Sequence, residues 1–179
     1  MKSPSRHPGS RSAERKLKLQ CQVTYNRADI YVGTNFRYWL TGFQTGDLSY
    51  WERAFSISAR SFGIGAARDV CRDFSQWVRL LSEYSQRQLR VSPPDSPSFG
   101  RDECVAMALI AAYQHKSCPA LQVCAMTLLG CEPRKDVCEL SGALAHRLSD
   151  VDHVLSGRVV DHVVRYAEPG FAGSSPHLC

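Results

Sequence analysis

Hydrophobic positions along this chain recur mostly three and four residues apart, the period of an amphipathic α-helix. Phe36, Tyr38, Trp39, Leu40 and Phe43 form an aromatic cluster closed by Gly42 and Gly46. Ser49 followed by Glu52 has capping-box spacing, and Trp51, Ala54, Phe55, Ser58 and Phe62 then repeat as one helical stripe. Gly63 and Gly65 break that run. A longer helix follows from about Ala66, with Val70, Phe74, Trp77, Val78 and Leu81 along one face. The stretch VSPPDSPSFG, from Val91 to Gly100, has the composition of a loop. Beyond it Arg101 to His115 is apolar nearly all round, as a central buried helix would be.

The punctuation of the second half is equally helical. Pro119 opens one helix and Gly130 closes it. Pro133 opens the next, with Val137, Leu140, Leu144 and Leu148 facing inward. Ser149 with Asp152 caps a last helix striped by Val151, Val154, Leu155, Val163 and Tyr166. Only Gln22 to Val32 departs from this period: Val23, Tyr25, Ile30 and Val32 are β-formers around an Asn26–Arg27 turn, which is the pattern of a short hairpin. The expected fold is therefore all-α, a compact bundle of about six helices, with that hairpin at its N-terminal edge. Residues 1–20 predict a disordered basic arm, 21–167 a single helical domain and 168–179 a flexible tail.

Charge changes the picture in one place. Within residues 1–20, Lys2, Arg6, Arg11, Arg15, Lys16 and Lys18 face only Glu14, a surplus equal to the net charge of +5 carried by all 179 residues. The body is thus electrically balanced, and a phosphate-reading surface on it would need local clustering. The arm has two readings, a solubilising tail or a nonspecific grip on nucleic acid. No apolar core of a signal peptide stands near the start, and the longest apolar run, Cys104 to Tyr113, is about half of what a bilayer span requires. A cytoplasmic chain with reduced thiols and no membrane association is expected.

Eight cysteines then need a reading. Cys118, Cys124, Cys131 and Cys138 lack the tight C-x-x-C pairs from which zinc sites are built, so small buried residues is the better account. Cys118 differs, because it stands where a helix begins and the partial positive charge there lowers a thiol pKa; it is the candidate reactive thiol of a redox or metal sensor, with His115 nearby. His146 and His153 lie off the apolar stripes with Asp150 and Asp152 close in sequence, but the helix break near Ser149 argues for solvated side chains over a metal site. His162 lies nearer an apolar stripe, where it would pack or touch a partner. Gly63-x-Gly65 lacks the third glycine and the feeding strand of a dinucleotide loop, and is set aside.

The stretch from residue 55 to 80 also carries a degenerate helix-turn-helix pattern. Ala59 and Gly63 have its spacing and Arg68, Arg72 and Arg79 project from the second helix, while Asp69 and Asp73 would repel phosphate. No serine-hydrolase, metalloprotease or phosphate-loop motif is present, so no catalytic, cofactor or metal residue is assigned and no cofactor is expected. FRYWLTGFQTGDLSYWERAF (residues 36–55) and GRDECVAMALIAAYQH (residues 100–115) resemble segments of small alphaproteobacterial helical proteins of unknown activity. The resemblance implies a bacterial origin and brings no site residue with it. The function expected from these residues is that of a non-enzymatic regulatory or adaptor protein binding a protein partner, with Trp39 and Trp51 as anchors and Arg68, Arg72 and Arg79 beside them. The alternatives are a DNA-binding regulator using the Gly63–Arg79 region helped by residues 1–20, and a sensor centred on Cys118.

Overall fold

In the computed structural model, residues 24–166 are described, and all regular structure among them is helical. The elements are α1 (Arg27–Thr45), α2 (Leu48–Tyr84), α3 (Arg101–Gln114), α4 (Cys118–Leu129), α5 (Lys135–Asp150) and α6 (Gly157–Tyr166). The basic arm and the tail expected at the two ends lie outside the described residues.

The hairpin expected over residues 22–32 is not there. Asn26 caps α1 instead: its side chain accepts from the Asp29 N–H at 2.8 Å and the Asp29 carboxylate accepts from the Asn26 N–H at 2.9 Å. That reciprocal box outweighs the β-preference of Tyr25, Ile30 and Val32, because Val32 and Tyr31 gain full burial on the inner face of a helix. Two further caps shift. Asp47, not Ser49, caps α2, accepting from the Ser49 N–H at 2.9 Å. Ser149 lies inside α5 with its hydroxyl on the Ala145 carbonyl, and the last helix starts at Gly157.

α3 is the axis of the bundle, in contact with α1, α4, α5 and α6. Every residue from Asp102 to Ala112 is buried, so the near-continuous apolar run reads as a helix enclosed on all sides. Met107, Leu109 and Ile110 are fully enclosed, each contributing on the order of 1.5–3 kcal/mol. Trp77 and Phe74 of α2 pack edge-on at 5.4 Å, and the Trp77 indole N–H donates to Ser141 of α5 at 2.9 Å.

The expected loop before α3 is a loop, but a heavily tethered one. Arg37 of α1 is buried and its Nε donates to Glu103 at 2.6 Å. The same guanidinium donates to the carbonyls of Pro93, Pro94, Ser96 and Ser98 and lies over the Phe99 ring at 5.2 Å. The other Glu103 oxygen accepts from the Ser92 and Gly100 N–H groups. Asp102 takes Arg87 bidentately at 2.7 and 2.8 Å and the Arg90 N–H at 2.8 Å. Two acids in the first turn of α3 sit favourably on its dipole while stitching down the segment that precedes it.

Candidate functional site

α1 and α2 form a hairpin turning at Gly46, which closes α1 in a left-handed conformation at φ 73°. Gly42 lets the two helices close: a Cβ there would overlap the Trp51 indole. Trp51 therefore lies flat beside Trp39, with ring centroids 6.2 Å apart, and its N–H donates to the Trp39 carbonyl at 3.4 Å. Phe43 joins at 5.3 Å from Trp51. The stack is only partly covered: Phe43 is 36% exposed, Phe55 36% and Leu48 62%. The first limb of α2 fully buries only Ala54 and Ser58, so much of its surface faces solvent.

Gly63 ends that limb. Its backbone at φ 80°, ψ 162° lies in a region open essentially to glycine alone, and it kinks α2 rather than ending it. One non-helical residue joins the two limbs, without the three- or four-residue turn of a helix-turn-helix. Arg68, Arg72 and Arg79 are exposed on the second limb, but Arg72 is held by Asp69 at 3.1 Å and Asp73 at 3.4 Å. Asp73 also takes Arg147 of α5. From Trp51 to Arg68 is roughly 25 Å along a helix, so the structure does not gather the aromatic and basic candidates into one surface.

Cys118 stands at the start of α4 as expected, but it is disulfide-bonded. A sulfur so engaged is not a thiolate, so the reactive-thiol expectation does not describe Cys118 in this state. Cys124 is buried and burial pushes its thiol up to about 12, the reverse of activation. Cys138 sits against Tyr113, and Cys71 is buried against Ser58. His146 pairs with Asp150 on the exposed face of α5 at 3.0 Å, away from His153. Among the described residues no three His, Cys, Asp or Glu side chains converge on a metal position. No helix among them is long and apolar enough to cross a membrane.

His153 has a site of its own. Its ring sits edge-on to Phe62 at 4.5 Å and to Tyr31 at 5.3 Å, and the Tyr31 hydroxyl is 2.7 Å from Ser58. Burial lowers the imidazole below its ordinary value, so the neutral ring is favoured. Nδ1 faces the Val151 carbonyl at 3.2 Å; a carbonyl only accepts, so Nδ1 carries the proton and Nε2 is the acceptor. Two hollows that share lining residues flank the ring. One, about 280 Å³, is lined by Ile30, Tyr31 and Ile57 together with Thr34 and Ser61. The second, about 400 Å³, runs past Val151, Asp152 and Val154, and both share Arg27, Ser61 and His153. Asp152 holds a left-handed backbone at φ 57°, and the Asn26 amide ties this rim to α1 by donating to the Val154 carbonyl at 3.0 Å. Reading the sequence did not assign this cleft to any ligand. The signal that would have found half of it is Asn26-x-x-Asp29, which places Arg27 at the first position of a helix.

No family model, curated protein or solved structure matches the chain.

Proposed function

We propose that this is a non-enzymatic adaptor that binds a protein partner at the turn end of the α1–α2 hairpin. The observation that carries the reading is the partly uncovered stack of Trp39, Phe43 and Trp51, continued by exposed Leu48 and Phe55 on a limb with few buried residues. Aromatic side chains fixed by their own packing lose little entropy on docking and dominate interface energetics. Trp39 and Trp51 supply the rigid floor, and Leu48 and Phe55 supply the surface a partner's apolar side chains would cover. The nucleic-acid alternative draws less support, since Arg72 spends its charge on two aspartates and α2 lacks the turn that would set a recognition helix.

The test uses the full chain with a photocrosslinking residue at position 55 or, as control, at exposed position 79. A partner crosslinked from position 55 alone, whose affinity falls at least about tenfold in Leu48→Ser/Phe55→Ser with an unchanged urea midpoint, supports the reading. Equal crosslinking from both positions, or undiminished affinity in the double variant, sinks it.

A further inference from the structure

The cleft around His153 lies between α1, α2 and the segment after α5, away from the hairpin turn, and has its own chemistry. Arg27 makes no ion pair or side-chain hydrogen bond among the described residues, and Asp152 makes no ion pair among them. Both nevertheless line the same hollow beside the His153 ring. The buried Asp29 carboxylate, two residues along α1 from Arg27, is already spent on the Asn26 and Ser156 N–H groups at 2.9 Å each. Arg27 also stands at the positive end of the α1 dipole, where a cation is disfavoured and an anion is drawn.

An apolar wall, a cation shared by both hollows and an anion on the second ask for a ligand with the opposite arrangement. The hydroxyls of Thr34 and Ser61 have no partner among the described residues, whereas Ser58 and Thr41 spend theirs on carbonyls one turn back. We propose that the double hollow binds a small apolar α-amino acid, its carboxylate on Arg27, its ammonium toward Asp152 and its side chain on Ile30, Tyr31 and Ile57. The neutral His153 ring and the two hydroxyls line the same hollows and offer further hydrogen bonds to the carboxylate and ammonium. Neither charge is buried deeply enough to hold a ligand by itself, so affinity depends on both being engaged.

The experiment is an NMR titration of the full chain, following the His153 ring resonances and assigning them with His153→Gln. The probes are L-leucine, L-phenylalanine, glycine, 4-methylpentanoate and isoamylamine. Saturable shifts with L-leucine or L-phenylalanine are expected, with glycine and each singly charged analogue at least about tenfold weaker. Arg27→Gln and Asp152→Asn should each weaken binding by a similar factor at unchanged urea midpoint, asparagine being suited to the left-handed backbone at position 152. Equal affinity for 4-methylpentanoate would replace the proposal with a plain anion site. Equal affinity for glycine would remove the role of the apolar wall, and no shift with any probe would overturn the site altogether.

Discussion

Arg37 uses all three nitrogens of its guanidinium inside the protein, one on a carboxylate and two on loop carbonyls. Taking such a group away leaves the Glu103 carboxyl in a buried place without its cation, with only N–H donors for company. Arg37→Met should therefore cost on the order of 3–5 kcal/mol, read as a lowered urea midpoint, whereas Arg37→Met combined with Glu103→Leu should recover part of the loss. A single variant that unfolds at the wild-type midpoint would contradict this account. At the same scale the sequence hides as much as it reveals. Arg37 and Glu103 are 66 positions apart, and nothing local to either marks them as partners. Gly130, by contrast, was legible at once, because a left-handed helix end at φ 72° has a residue type written into it.

Among the elements, α2 carries the sharpest local contrast. Gly63 sits at φ 80° where a side chain strains the backbone, and Gly65 two residues on is helical with open space where its Cβ would be. Gly63→Ala should lower stability by about 1–3 kcal/mol. Gly65→Ala should raise it by about 0.5–1 kcal/mol, through helix propensity alone. Parallel urea melts followed by circular dichroism decide it; destabilisation by both or by neither would mean that the kink is not held by residue 63. Helix α3 is readable from its continuous apolar run and α4 from its opening proline and closing glycine, whereas the end of α5 is not, since no glycine closes it at Val151. The N-terminal half of α1 was not, since Tyr25, Ile30 and Val32 favour strands and only the Asn26/Asp29 box reverses them. The cleft escaped for a related reason: it is assembled from residues 26–34, 57–61 and 151–154, which only the folded chain brings together.

For the whole molecule, the two histidines of the α5–α6 region set a pH response. Burial lowers both His153 and His162, the latter helped by the charge of Arg165. In each case the unfolded chain takes up a proton first as pH falls. Stability is complete above the ordinary histidine value of about 6.5 and declines as pH drops from there towards the depressed folded values. Asp29 acts in the opposite sense at lower pH, because burial raises it and its protonation favours the folded chain. Urea midpoints should therefore fall between about pH 7 and pH 5, and less so in His153→Gln/His162→Gln. An identical decline in the double variant would place the response elsewhere.

The segment from Ser85 to Gly100 looks, by composition, like a place where one folding unit ends and another begins. Its backbone carbonyls are nevertheless the solvent of a buried cation, and its N–H groups are the solvent of two buried anions. A protease that cut between Ser92 and Ser98 would therefore not separate two domains. It would withdraw the hydration shell that the chain itself provides to Arg37, and the helices on both sides would lose their footing together. Shuffling, splitting or circularly permuting this protein at its proline-rich stretch should fail for that reason, whereas the left-handed Gly130 corner has no buried charge to abandon.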